Sequence, residues 1–243
     1  MEKILLGEVW ESFYIEGEKV GFIRRQTTTT EIPDLFVSQL HILFYVQGAV
    51  ASREHHFWFH NQAGYPAHAY LFDTNNGAPI HVQFRDEEIV CQIDEDTFTE
   101  SVPPNTRPGY GYYPYVVTMP FVEGHEIRST LIDDASGSVR ETAVLVSQGW
   151  RDIILHNQTI RLWLVSEYIA GQPTNRYWLD EKRRLRQSDW QGAKSYWVAT
   201  KEEALHALPD ELVQYAQSAF HPTSGSDWMD DVIAWLSQRH DDL

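Results

Sequence analysis

Histidine is the reactive residue type that this sequence arranges in the clearest pattern. Five of the eleven histidines fall between residues 54 and 81: His55, His56, His60, His68 and His81. On a strand, His56 and His60 share one face but stand about 13 Å apart, too far to hold one ion together. If residues 61–64 form a hairpin loop, His68 lies diagonal to His55 on the other face. We therefore expect His55 and His68 to act as the catalytic pair.

Proton transfer is the chemistry best suited to this pair. A histidine beside a carboxylate in an apolar cavity acts as a base near neutral pH. Glu54 and Asp73 are the nearby carboxylates, and the aromatic run at 57–59 supplies apolar surroundings. A metal site is the alternative, with His81 joining from the next strand, but no third ligand has a diagnostic spacing. We predict no metal and no other cofactor.

Motifs for other kinds of catalysis are absent from the sequence. It has no G-x-S-x-G nucleophile elbow and no glycine-rich phosphate loop. The single cysteine, Cys91, lies in a strand-like run and most simply serves as a small apolar residue. The adjacent Asp133 and Asp134 precede an Ala-Ser-Gly turn, which favours turn formation over calcium ligation.

Strands must position these residues, because the chain from Val9 to Ala199 reads as one strand after another. Turn signals such as Glu16-Gly17 and Gln47-Gly48 separate the strands. Residues 101–114 break the pattern with four prolines and two glycines, and we expect a long aromatic loop there. The sequence therefore predicts a mainly β fold, a large curved antiparallel sheet or an open or closed β-barrel.

Helices follow the strands. A capping box, Thr200 with Glu203, predicts a short helix over 202–207, and Pro209 opens a second helix. A third helix, over 227–239, carries an apolar stripe formed by Trp228, Val232, Trp235 and Leu236. We predict an antiparallel β domain over residues 1–200 and a helical segment over 201–243 packed on it.

Charge and hydropathy limit the partners. The formal net charge is −16, which argues against nucleic acid and anionic membrane surfaces. No apolar run approaches the roughly 20 residues of a membrane span. The apolar run at the N-terminus is too short for a signal peptide. We expect a cytoplasmic location, or the cell envelope if an export signal has been removed.

Aromatic residues make up 13% of the chain, and such side chains suit pocket walls. We expect a cavity of the sheet to hold a small apolar or amphipathic molecule. Its predicted walls are Trp58, Tyr70, Tyr110, Tyr112, Tyr113 and Trp163. One alternative is a cyclase or isomerase that acts on a hydrophobic metabolite in the same cavity. A second is an interaction module whose apolar C-terminal stripe docks on another chain or on a second copy, giving a homodimer.

Three stretches carry a resemblance to a known family. The opening W-x-x-x-Y-I-x-G-x-K-V-G-F begins at Trp10, Y-W-L-D-E-K-x-R-L begins at Tyr177, and A-T-K-E-E-A begins at Ala199. Over roughly residues 8–205 the chain resembles the DUF3108-like group of bacterial β-rich proteins, relatives of which occur beside transglutaminase-like domains. The resemblance implies a broad curved antiparallel sheet with an apolar concave face and export to the envelope. It supplies no catalytic residues.

Overall fold

The computed structural model describes residues 6–75, 77–85, 87–155 and 157–219. Within them one sheet dominates. Its strands are β1 (Gly7–Ile15), β2 (Glu18–Thr29), β3 (Leu35–Val46), β4 (Ala49–His60), β5 (Ala67–Thr74), β6 (Ile80–Arg85), β7 (Glu88–Ile93), β8 (Asp96–Ser101), β9 (Thr106–Pro108), β10 (Glu126–Ile132), β11 (Val139–Leu155), β12 (Gln158–Ile169), β13 (Gln172–Leu179), β14 (Leu185–Trp190) and β15 (Ala193–Val198). The helices are α1 (Tyr113–Thr118), α2 (Lys201–Leu205) and α3 (Asp210–Ala219).

The strand order makes the sheet a curved meander with two wings. Strands β1 to β8 pair antiparallel in sequence order and form the N-terminal wing. Strands β9 to β15 form the C-terminal wing, which is antiparallel except for the β9–β10 pair. The two wings join where β1 pairs with β15. The predicted mainly β fold, a large curved antiparallel sheet followed by helices, is confirmed.

Two-residue turns fix several registers. At Gln47 and Gly48 both φ angles are positive, 52° and 82°, the combination that the tightest right-twisted hairpins require. Val46 therefore pairs with Ala49, and each pair further along β3 and β4 follows from it. The Glu16-Gly17 turn sets β1 against β2 in the same way.

The two wings share one hydrophobic core, which we call the central core. Phe57 and Ile80 enter it from the N-terminal wing, and Trp163 and Leu179 enter it from the C-terminal wing. Curvature thus brings distant strands onto a common apolar interior, as in a barrel.

The proline-rich segment, which together with α1 we call the inserted segment, fills part of this interior. The sequence predicts a long loop there instead. The inserted segment forms β9, a 3-10 turn over Gly109–Tyr112 and then α1, with Pro114 in the first turn, where its missing N–H is no loss. Tyr113, Tyr115 and Val116 are buried in the central core. Large apolar rings gain more from burial between the wings than from a solvated loop.

Two buried ion pairs surround this segment. Nε of Arg25 lies 3.1 Å from Glu11 Oε1, and Arg25 also donates to the Tyr112 hydroxyl at 3.1 Å. On the other side, Arg107 donates to Glu167 at 2.7 Å. The hydrogen bond of Arg25 to Tyr112 and the ion pair of Arg107 with Glu167 connect the inserted segment to β2 and β12. A buried pair of this kind is costly to break, since one uncompensated charge would remain.

Helices α2 and α3 pack on the other side of the sheet. Thr200 caps α2 by accepting from the Glu203 N–H, and Leu212 of α3 is buried with Trp10 and Phe22. The third predicted helix and its apolar stripe, from Trp228 to Leu236, lie outside the described residues, and the division at residue 200 stays a prediction. In the described part of the chain, no helix is both long and apolar enough to cross a membrane.

Candidate functional site

A pocket of about 550 Å³ opens beside the inserted segment, at the end of the C-terminal wing. We call it the Tyr110 pocket. Its walls come from the 3-10 turn, from the β10–β11 connection and from the ends of β12, β13 and β14. They are formed by Gly109, Tyr110, Tyr112, Leu131, Ile132, Asp133, Asp134, Arg140, Glu141, Glu167, Ile169, Asn175 and Trp190.

Asp134 is held in place by three donors. The Tyr70 hydroxyl and the backbone N–H groups of Gly109 and Tyr110 all hydrogen-bond its carboxylate. The approach to Gly109 is so close that a Cβ there would lie 2.5 Å from Oδ2 of Asp134. Only glycine leaves room for the carboxylate at this point, so the glycine-containing loop and the acid depend on each other.

Burial raises the pKa of Asp134 to about 7, because desolvation of the carboxylate outweighs the three hydrogen bonds. The negative charge of Asp133 also raises the pKa of Asp134. Asp133 itself is paired with Arg140 at 2.5 Å. The pocket therefore contains a carboxyl group that changes charge close to neutral pH.

A chain of hydrogen bonds leads from Asp134 through Tyr70 to His55, one of the two histidines that the sequence predicts as catalytic. The Tyr70 hydroxyl lies 2.7 Å from Nδ1 of His55. Burial lowers the pKa of His55 well below its usual value, and the nearby positive charge of Arg53 adds to this effect. Burial also raises the pKa of Tyr70 well above its usual value, with the Asp134 charge contributing. His55 and Tyr70 are therefore neutral at physiological pH.

Aromatic rings form one wall of the pocket. The Tyr110 ring centroid lies 3.9 Å from that of His55 and 6.2 Å from that of Trp190. Tyr112 stacks on Tyr177 at 4.5 Å. These ring contacts hold Tyr110 and Tyr112 against side chains of the strands, so the wall is pre-formed.

Two residues of the pocket carry buried polar atoms that have no hydrogen-bond partner among the described residues. They are Oδ1 of Asp134, an acceptor, and Nε1 of Trp190, a donor. An unsatisfied buried polar group costs about 1–3 kcal/mol, and native proteins rarely keep one without a reason. A bound polar molecule is one such reason.

The charges of the pocket are predominantly negative. Glu167 is neutralised by Arg107 and further held by Asn175, whose amide donates at 2.6 Å. Asp134 and Glu141 have no ion pair in the described part of the chain. Arg140 also lines the pocket but is paired with Asp133, so a molecule in the pocket would face two carboxyl groups that have no ion-pair partner of their own among the described residues.

The aromatic residues predicted as ligand-binding end up in different places. Tyr110 and Tyr112 line the pocket, and Tyr70 supports Asp134 behind it. Tyr113 and Trp163 are packed in the central core. Trp58 belongs to a separate cluster with Leu35, Val37, Ala69 and Leu71.

The expected pairing of His55 with His68 is not what the structure shows. His55 pairs with Phe72, and the register shifts between Trp58 and Phe59, where His68 is the extra residue of β5. The His68 ring contacts His60 at 5.1 Å, whereas His55 contacts Phe72 and Tyr110. A β-bulge turns a side chain to the other face, and the sequence gives no signal for it here.

Most residues of the pocket were not predicted from the sequence, and Asp134, Trp190 and Glu167 are the most important of these. Asp134 was interpreted as a turn residue, and Trp190 and Glu167 carried no motif. The Asp133-Asp134 pair before Ala-Ser-Gly was the available signal. Asp133 does form the turn, since its Oδ1 accepts from the Ala135 N–H at 3.2 Å, and that leaves Asp134 free to turn inward.

No protein-family model and no curated protein matches the chain. Solved structures with a similar arrangement include a β-barrel-like protein of the domain of unknown function DUF1849 from Brucella abortus, with a TM-score of 0.49 and 10% identity over 79% of this chain and 94% of that one. A DUF1089 family protein from Pseudomonas aeruginosa has a TM-score of 0.38 and 11% identity over 69% and 89%. The resemblance to the DUF3108-like group stays a hypothesis.

Proposed function

We propose that the protein binds a small amphipathic molecule in the Tyr110 pocket, with the polar end of that molecule at Asp134. The observation that carries the proposal is a pocket of about 550 Å³ with aromatic walls and two unsatisfied buried polar atoms. Ligand sites of 300–1,000 Å³ commonly combine apolar walls with a few convergent polar groups.

The Tyr110 pocket is not the interior cavity of the sheet that the sequence predicts. Side chains of both wings and of α1 occupy the central core, and Val116 of α1 is fully buried there. A ligand in the same volume would have to displace the inserted segment and expose the buried Arg25 and Arg107. The Tyr110 pocket needs no such rearrangement.

The charges favour a molecule whose polar end donates hydrogen bonds or is cationic. Asp134 offers an acceptor atom, and Glu141 adds negative charge at the rim. The faces of Tyr110 and Trp190 attract cations as well as apolar groups. An anionic molecule would meet repulsion from both carboxyl groups.

Calorimetric titration with three probes of one skeleton tests the proposal. The probes are 2-phenylethylamine, 2-phenylethanol and phenylacetate, which differ only in the polar end. We expect the amine to bind tightest, the alcohol more weakly and the acid least, because only the first two can donate to Asp134. Failure of all three to bind, or tightest binding by phenylacetate, would contradict the proposal.

A matched pair of variants locates the binding. Ile169→Trp adds a ring to the pocket wall and should abolish binding of the amine. Val122→Trp adds the same ring at an exposed position away from the pocket (Val122 is 59% exposed) and should leave affinity unchanged. Far-UV circular dichroism confirms that both variants fold. Equal affinity in both variants would place the binding elsewhere.

A second candidate function, proton-transfer catalysis by a cyclase or isomerase, is favoured by one observation. Asp134 lies in the pocket with a pKa raised to about 7 by burial, where an acid–base group works best. Carbon-13 NMR of the side-chain carboxyl groups across the pH range measures this pKa directly. The Asp134→Asn variant, which lacks the signal, assigns the resonance. Titration close to 7 supports the role, and titration below 5 removes it.

A further inference from the structure

A second cluster of reactive side chains lies on the face of β3 and β4 turned away from the central core. His41 is the cross-strand partner of Glu54, and His56 follows Glu54 by two residues, so all three share this face. Oε1 of Glu54 lies 2.8 Å from Nε2 of His41 and 2.5 Å from Nε2 of His56. Both rings therefore present the same nitrogen to one carboxylate oxygen.

We propose that His41, Glu54 and His56 form a binding site for one divalent transition-metal ion, with Zn²⁺ as the reference ion. One ligand atom from each residue lies within 4.8 Å of the others. Two imidazoles and one carboxylate are a ligand set that zinc sites use. Mg²⁺ and Ca²⁺ prefer oxygen ligands, which makes a transition metal the chemical class that fits.

The cluster is held in a fixed geometry before any ion arrives. The His56 side chain is nearly fully buried, stacks on Trp58 at 5.7 Å and keeps Nδ1 3.4 Å from the Gln39 side-chain amide. Metal-binding histidines are commonly oriented through the ring nitrogen that does not bind the ion. An ion on Nε2 places the ring proton on Nδ1, which would then donate to the amide oxygen of Gln39 once that side-chain amide is turned over.

Access to the cluster is open on one side. The side chains of His41 and Glu54 are 14% and 34% exposed, so an ion bound by three protein ligands would keep a coordination position for water. Asp73 lies opposite Glu54 on the neighbouring strand β5 and adds negative charge to this face of the sheet. Arg24, cross-strand from His41, is balanced by Glu8 at 2.5 Å.

Isothermal titration of the chelator-treated full chain with Zn²⁺ tests the site, with Co²⁺ titration as a spectroscopic readout. We expect one ion per chain and visible d–d absorption bands on adding Co²⁺. His41→Ala and Glu54→Gln should each weaken Zn²⁺ binding by more than about 100-fold, because a direct ligand contributes more than the outer-shell partners whose loss costs about 10–100-fold. The Co²⁺ bands should disappear in the same variants.

His68→Ala is the matched control. The ring of His68 contacts His60, with centroids 5.1 Å apart, and His68 is not one of the three proposed ligands. This variant should bind one Zn²⁺ with unchanged affinity. The test relies on the partly exposed His41, because loss of the buried His56 would also disturb folding. Circular dichroism checks that His41→Ala is folded. Absence of 1:1 binding, unchanged affinity in folded His41→Ala, or loss of binding in His68→Ala would overturn the proposal.

Discussion

The Tyr70 hydroxyl joins His55 of β4 to Asp134 of the β10–β11 connection, 2.7 Å from Nδ1 of His55 and in a hydrogen bond with the carboxylate. A hydroxyl has one proton, and the ionised carboxylate can only accept. The proton of Tyr70 therefore faces Asp134, and His55 donates from Nδ1. Nε2 of His55 is left buried without a partner among the described residues. The chain of bonds links the two wings behind the Tyr110 pocket.

Replacing Asp134 with asparagine should change how stability depends on pH. The pKa in the folded state is raised from 3.8 to about 7, so the folded protein binds the proton more tightly than the unfolded chain. The resulting stabilisation is complete below about pH 4 and is lost as pH rises through about 7. We expect Asp134→Asn to abolish this pH-dependent loss in the free energy of unfolding, which is on the order of a few kcal/mol. Urea denaturation at several pH values measures it.

The control for this prediction is Glu141→Gln, which removes an exposed carboxylate of the same pocket. It should keep the wild-type pH dependence. The other groups that face Asp134 are Tyr70, Tyr110 and Asp133, and all three remain in both variants. A wild-type pH profile in Asp134→Asn would show that Asp134 does not carry the effect.

Gly109→Ala should destabilise the protein by about 1–3 kcal/mol, the usual cost of an added methyl group in a packed site. The new Cβ would lie 2.5 Å from Oδ2 of Asp134, and that carboxylate cannot move without losing its three donors. Urea denaturation gives the change in the free energy of unfolding. In the Asp134→Ala background the same substitution should cost almost nothing. An equal cost in both backgrounds would contradict the close approach.

Glu11→Leu should destabilise the protein by about 3–5 kcal/mol, because the buried guanidinium of Arg25 would lose its counter-ion. The double variant Arg25→Met/Glu11→Leu should be less destabilised than Glu11→Leu alone, since it leaves no uncompensated charge. Chemical denaturation of the three variants measures both effects. A double variant that is less stable than Glu11→Leu would contradict this explanation, because removing the unpaired guanidinium would then cost stability instead of restoring it.

How far the sequence determines the fold is seen at β3 and β4. The Gln47-Gly48 turn was recognisable, and a two-residue loop places Val46 opposite Ala49. Counting back along both strands puts His41 opposite Glu54, so this half of the cluster could have been derived. The prediction lacked it because His41 lies outside the histidine-rich stretch 54–81 on which the prediction rests.

The pairing of β4 with β5 shows why other features resist prediction. The loop after His60 bonds back to the strand end, with the His60 N–H donating to Pro66 at 3.0 Å, and a bulge follows at His68. One inserted residue reverses every facing assignment beyond it. The packing of Tyr113 and Tyr115 between the wings likewise depends on contacts that are distant in sequence.

The indole N–H resonance of Trp190 provides the most direct test of the Tyr110 pocket. Trp190→Phe assigns the signal, and 2-phenylethylamine is then titrated into the wild-type protein. We predict a saturable shift of this resonance at the concentration at which calorimetry shows binding, with the resonance of the packed Trp163 unmoved. Heat of binding with no shift at Trp190 would contradict the account, because the ligand would then bind outside the pocket.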